Sequence, residues 1–173
     1  MFVAQRKNQS KPGVSLLTGP PDSGKTPIFS SLIYRHSLPA NTSMQPNSSF
    51  LTIPGKKGPV QVVDVPGHPR LQSQFKESLN SAKVIVFIVD ANTISRNAAH
   101  AAECITGHIV IETQNVLSPS QPPPALPILA YKPDLIKASL ISADTTALTI
   151  NRVQIILEHE LERRRQSQLG NIR

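Results

Sequence analysis

The stretch Gly19-Pro20-Pro21-Asp22-Ser23-Gly24-Lys25-Thr26, "GPPDSGKT", decides how this chain is read. It satisfies G-x-x-x-x-G-K-[S/T] at every fixed position. The apolar run "VSLLT" (14–18), which reads as a buried strand, precedes it. From Thr26 the pattern "TPIFSSLIYRHS" repeats Ile28, Phe29, Leu32 and Ile33 at helical spacing, with Pro27 tolerated in the first turn. A strand, a glycine-bounded loop and a helix are the context in which this motif holds phosphate. The glycines let successive backbone N–H groups curl around one anion. Lys25 reaches the β- and γ-phosphates, the Thr26 hydroxyl can ligate Mg²⁺, and the helix turns its positive end toward the negative charge. All eight residues, Gly19 to Thr26, are therefore taken as nucleotide-binding.

Working outward, "FLTI" and "VQVVDV" flank the turn cluster "PGKKGP" and read as a β-hairpin, after a loop over 38–49. "LQSQFKESLN" reads as a short helix. "KVIVFIVD" (83–90) is apolar on both faces and β-branched, the pattern of a central strand in a parallel sheet. A helix is expected over 94–116, a proline-rich connection at "SPSQPPPA" (118–125) and another short buried strand at "LPILAY" (126–131). The last helix is expected from about Thr145 to Arg165, with Ile150, Val153, Ile156, Leu157 and Leu161 on one face. The run Arg163–Arg165 would then close it favourably for the helix dipole. Strands alternating with helices in this order predict an α/β, doubly wound, mostly parallel sheet.

A second motif lies some forty residues after the phosphate loop. Asp64-Val65-Pro66-Gly67-His68 ends the "VQVV" strand, and the C-terminal ends of strands are where ligands bind in open α/β sheets. Asp64 there can hold Mg²⁺, usually through water; Gly67 can offer its N–H to a γ-phosphate; His68 would stand beside an attacking water. Thr42, in the loop after the first helix, can close over Mg²⁺, with Ser43, Ser48 and Ser49 as rivals. After "LPILAY" comes Lys132-Pro133-Asp134, where nucleotide-binding domains of this kind carry N-K-x-D. Asp134 is placed to accept hydrogen bonds from a guanine edge and Lys132 to pack over the base. The first position is Tyr131, so the amide hydrogen bonds that normally tie this loop to the phosphate loop, each worth about 1 kcal/mol, are missing.

Composition narrows the function classes. The length of 173 residues suits one domain with a sizeable core. A single cysteine, Cys104, excludes an internal disulfide framework and reads as a small apolar helix residue. The net charge of +7 invites a nucleic-acid reading, but the basic residues are scattered, and with two Tyr, five Phe and no Trp nothing interleaves with them to stack bases. Specific nucleic-acid recognition is not expected. No run approaches the roughly 18 apolar residues of a membrane span.

Taken together, "GPPDSGKT", "VVDVPGHPRLQSQF", "SAKVIVFIVDA" and "INRVQIILEHELERRRQSQ" resemble the small Ras-like GTPases of the P-loop NTPase class. More narrowly they resemble the beta-subunit family of the signal recognition particle receptor. The resemblance spans about residues 14–168, with 1–13 a polar lead-in following a membrane anchor and 169–173 a tail. It implies a GTPase domain that binds GTP with Mg²⁺ on the cytosolic face of the endoplasmic reticulum. The membrane is reached through an N-terminal anchor absent from this chain. The partner implied is the N-terminal domain of the receptor alpha subunit, with the ribosome and translocon beyond it. By position, Gly19–Thr26 would be the phosphate loop, Thr42 a switch threonine, Asp64 to His68 the second switch, and Lys132 and Asp134 the guanine contacts. The family continues with a further strand and helix after the last helix seen here, so the expected sheet is C-terminally incomplete. Three readings follow: a slow regulatory GTPase with His68 orienting water, a nucleotide-loaded scaffold that hardly hydrolyses, and a degenerate GTPase. A metabolic kinase would share the phosphate loop, but offers no role for K-x-D.

Overall fold

The computed structural model describes residues 13–36, 45–56, 58–67, 72–117, 122–136 and 145–170. Thr42 and His68 lie outside the described residues, as does the segment 118–121 of the proline-rich connection.

The strands are β1 (Val14–Thr18), β2 (Asn47–Leu51), β3 (Val60–Asp64), β4 (Ala82–Asp90) and β5 (Ile128–Tyr131). They form one sheet in the order β2-β3-β1-β4-β5. β1 runs parallel to both β3 and β4, β4 runs parallel to β5, and β2 alone is antiparallel, closing the expected hairpin with β3. The helices are α1 (Lys25–Tyr34), α2 (Gln72–Leu79), α3 (Ile94–Glu103), α4 (Ile111–Val116) and α5 (Thr145–Gly170).

The alternation of side chains along each strand builds a core on each side of the sheet. Leu16, Val63, Ile85, Phe87 and Val89 face one way, against Phe75 and Leu79 of α2, Ile94 and Ala101 of α3, and Val153 and Leu157 of α5. Leu17, Val62 and Ile88 face the other way, against Phe29 of α1. β4 is hence apolar at consecutive positions because both of its faces are covered, as its sequence predicts.

Several expectations need correction. β2 begins at Asn47, inside the segment read as loop: Asn47, Ser48 and Ser49 pair with Asp64, Val63 and Val62. An edge strand is held by its backbone, so its exposed side chains need carry no apolar signal. The helix expected over 94–116 is broken by a π-helical stretch, Cys104–Val110, between α3 and α4. β5 is not a buried strand. Ile128 and Leu129 are 47% and 41% exposed, because no described strand lies beyond it and a groove of about 620 Å³ opens between β5 and α5. Ile150 lines that groove beside Val153, Leu157 and Leu161, on the face its spacing predicts, but is 52% exposed there. Finally, α5 runs on to Gly170, so the three arginines are internal to it. Arg163 and Arg165 bond Glu160 and Glu162 one turn back, and Arg164 reaches across to the Ala99 carbonyl of α3. Cys104 is half-buried and its thiol is pushed up chiefly by burial, consistent with an unreactive packing residue.

Candidate functional site

β1, β3, β4 and β5 all end at one edge of the sheet, at Thr18, Asp64, Asp90 and Tyr131. The chain passes from β1 to β3 on one side and reaches β4 and β5 on the other, so a crevice opens above β1 at the point where the winding reverses. The phosphate loop, Asp64, Gly67 and Lys132 lie at this edge of the sheet.

The phosphate loop takes its shape from residues that can adopt unusual backbone angles. Gly19 (φ +148) and Gly24 (φ +95) stand in regions L side chains rarely enter. Asp22 (φ 59) is left-handed, a conformation that Asp tolerates better than most. A Cβ on Gly19 would come within 2.2 Å of the Ile88 carbonyl oxygen, so the loop lies directly on β4. Gly24 caps α1, whose first residue is Lys25.

Lys25 is buried, 6% exposed, and its ammonium donates to the carbonyls of Gly19 (3.0 Å) and Pro20 (2.6 Å) and to Ser23 Oγ (3.3 Å). Burial pulls its pKa down, and the nearby Asp64 charge opposes that shift. Gly67 closes the loop from the β3 side. A Cβ there would stand 2.7 Å from the Gly19 carbonyl oxygen, 2.8 Å from the Lys25 ammonium and 2.9 Å from the Pro21 nitrogen. The "DVPG" motif therefore meets the phosphate loop in space, as its placement after β3 predicts.

Asp64 is 1% exposed. Its Oδ2 accepts a 2.8 Å hydrogen bond from Thr26 Oγ1, and its Oδ1 is buried with no hydrogen-bond partner. Burial raises its pKa, against the Thr26 hydroxyl, the Lys25 charge and the Asn47 side chain, which lower it. These two residues fit a hard divalent cation. The hydroxyl that gives its proton to the carboxylate keeps its lone pairs for a metal, and the orphaned carboxylate oxygen calls for a positive partner or a metal-bound water. Among the described residues no group of three His, Cys, Asp or Glu forms a metal cluster. A cation here would thus complete its shell with phosphate oxygens and water, the habit of Mg²⁺.

On the other flank, Lys132 (φ 59) and Asp134 sit in the tight turn after β5, the latter exposed. Lys132 donates to Asp90 Oδ2 at 2.6 Å, while Asp90 Oδ1 accepts from the N–H groups of Asn92 and Thr93. Asp90, paired with Tyr131 in the sheet register, anchors Lys132, a contact the sequence analysis does not anticipate. The signal was available: like Asp64, Asp90 is an aspartate at the C-terminal end of a parallel strand.

The family model for the signal recognition particle receptor beta subunit matches residues 9–168. The chain belongs to the signal recognition particle receptor beta-subunit family. Among solved structures, it is similar to the mammalian SRP receptor (27% identity, TM-score 0.70, covering 86% of this chain and 72% of that one). It also shares its fold with the SRb-GTP/SRX complex of Chaetomium thermophilum (23%, TM-score 0.63, covering 92% and 83%). A small GTPase, Arl6 of Trypanosoma brucei with bound GppNp, shares the fold too (15%, TM-score 0.54, covering 80% and 77%). No match to a curated protein is found. The Ras-like, mostly parallel α/β sheet expected from the sequence is the fold of this beta-subunit family member. Among its described residues, no helix is long and apolar enough to cross a membrane.

Proposed function

We propose that this chain is a GTP-binding beta subunit of the signal recognition particle receptor, with residues 14–168 as its GTPase domain. The observation that carries the reading is the joining of three elements at one strand edge: the buried Lys25 inside the phosphate loop, the Thr26–Asp64 hydrogen bond beneath it, and Gly67 packed against the same loop. In this proposal Gly19 to Thr26 wrap the phosphates, and the Lys25 ammonium exchanges its loop carbonyls for β- and γ-phosphate oxygens. Mg²⁺, when bound, would offset phosphate charge, held by Thr26 and by Asp64 through water, with Thr42 closing from the loop after α1. Gly67 offers its N–H to the γ-phosphate. Lys132 and Asp134 read the base, with Asp134 accepting from the guanine edge.

His68 is proposed to orient the attacking water rather than to act as a strong base, which makes intrinsic hydrolysis slow. His68→Ala should lower single-turnover hydrolysis about tenfold or more, short of the ~10²–10⁴-fold of a group that itself transfers the proton, and leave GTP affinity within about twofold. An unchanged rate would remove His68 from the mechanism.

The γ-phosphate would order the second switch and so gate a partner. The partner we propose is the N-terminal domain of the receptor alpha subunit, held at the cytosolic face of the endoplasmic reticulum, where it helps bring ribosomes to the translocon. The solved Chaetomium thermophilum complex, an SRb-GTP/SRX assembly, supports this choice. The test is capture of the purified alpha-subunit N-terminal domain by this chain loaded with GTP or with GDP. Capture with GTP, lost with GDP, is expected. Equal capture in both states would refute the switch. GTP carried through purification with negligible turnover would identify a nucleotide-loaded scaffold instead.

A further inference from the structure

The base-reading turn opens with Tyr131 where an asparagine amide is expected, and the amide's usual task is to tie that turn to the phosphate loop. The tyrosine occupies the gap between them differently. A Cβ built on Gly24 would stand 2.2 Å from Tyr131 Cδ1, 2.4 Å from Cε1 and 3.2 Å from Cγ. The edge of the ring therefore covers Gly24 in the space any side chain there would need. Both partners are anchored. The Tyr131 carbonyl accepts the Ala91 N–H at 2.9 Å, the residue pairs with Asp90 in the sheet, and its side chain packs on the cluster of Leu17, Phe29, Val62 and Ile88. The next residue, Lys132, is clamped to Asp90 and lies 5.9 Å from the ring centroid. Gly24, in turn, is the last residue before α1 and the immediate neighbour of Lys25.

We propose that Tyr131 is a positioning residue whose ring, packed on Gly24, fixes the phosphate loop relative to the base-reading turn in place of amide hydrogen bonds. The inference rests on the nucleotide reading above and deepens it. A contact made by ring carbons needs the ring and not the hydroxyl. It is also a coupling device: it matters most to a ligand that touches base turn and phosphate loop at once, and least to one that touches the loop alone.

The test compares wild type with Tyr131→Phe and Tyr131→Ala. Dissociation constants are measured for GTP and for inorganic tripolyphosphate, the latter by displacement of a fluorescent GTP analogue, together with melting temperatures. Tyr131→Phe should match wild type within about twofold for GTP. Tyr131→Ala should weaken GTP by about tenfold, in the usual range of coupling between two sites, and tripolyphosphate by less than about threefold. An equal loss for both ligands would mean general loosening of the loop and would overturn the proposal, as would a Phe variant as weak as the Ala one. Gly24→Ala, made in both backgrounds, tests the contact itself. The added methyl meets the ring only where the ring is present, so its melting-temperature cost should be smaller in Tyr131→Ala than in wild type. Equal costs would place the ring elsewhere and refute the contact. A wild-type chain that binds no GTP would overturn the nucleotide reading and this role for Tyr131 with it, whereas the Gly24 comparison by melting would still report the packing.

Discussion

Replacing Lys25 with methionine separates what the phosphate loop does for binding from what it does for the fold. The ammonium is buried and saturated by its own loop, at 2.6 Å from the Pro20 carbonyl and 3.0 Å from that of Gly19. On binding, these contacts are exchanged for phosphate oxygens. A hydrogen bond to a charged group is worth about 1.5–3 kcal/mol, so two such contacts, to the β- and γ-phosphates, contribute about 3–6 kcal/mol. At 1.4 kcal/mol per decade this is roughly a 10²–10⁴-fold loss of GTP affinity. The fold responds otherwise. Burial lowers the Lys25 pKa, so the charged form is held there at a cost that methionine, with a stem of similar length, removes. Against that, two loop carbonyls lose their donor. The effects oppose, and a net of about 1 kcal/mol moves the melting temperature of a chain this size by only about 2–4 °C. Fluorescent GTP titration and scanning calorimetry on the same sample decide it. A Lys25→Met chain that is folded and binds GTP within threefold of wild type would refute the reasoning. One that loses both binding and the native melting transition would refute the claim that the lysine is held there for binding.

Other substitutions probe the remaining contacts. Asp64→Asn removes the buried carboxylate that accepts from Thr26, so GTP binding should lose its dependence on added Mg²⁺; titrations with and without chelator check it. Gly67→Ala drives a methyl to 2.7 Å from the Gly19 carbonyl oxygen and should cost about 1–3 kcal/mol in urea unfolding, with weaker GTP binding. Glu162 is held at a pKa of about 2 by Arg165 first and Gln166 second. Because that value lies below its ordinary 4.5, the stability it adds is complete above pH 4.5 and lost as the pH falls toward 2. The melting difference between wild type and Glu162→Gln should therefore be small but present at neutral pH and vanish near pH 2.

The parts of the fold legible in the sequence are those fixed by local chemistry. "VSLLT" and "KVIVFIVD" are apolar at consecutive positions because both faces are covered, and that pattern identifies interior strands directly. The phosphate loop is legible for a similar reason: its glycines answer backbone demands at those same residues. What depends on distant partners is not legible. The polar start of β2 carries no strand signal, because an edge strand is held by backbone bonds to β3. Ile150 lies on the apolar stripe of α5 as its spacing says, but the openness of the groove that this end of the stripe lines beside β5 is not written in the helix's own sequence. The three arginines look like a helix end until their partners Glu160, Glu162 and Ala99 are known. At the site, Lys25, Thr26, Asp64 and Gly67 meet as expected, while the Lys132–Asp90 clamp and the Tyr131–Gly24 contact join residues far apart in sequence. Tyr131 in particular reads in sequence as a loss and in the structure as a packed ring.

Guanine-nucleotide binding is the central claim, and one titration addresses it most directly. The purified chain is mixed with a fluorescent GTP analogue and Mg²⁺, then challenged with GTP, GDP, XTP and ATP. The account predicts saturable binding displaced by GTP and GDP, with XTP and ATP at least about a hundredfold weaker, since Asp134 pairs with a guanine edge that neither of them presents. A folded chain that binds nothing, or one that ATP displaces as readily as GTP, would contradict it.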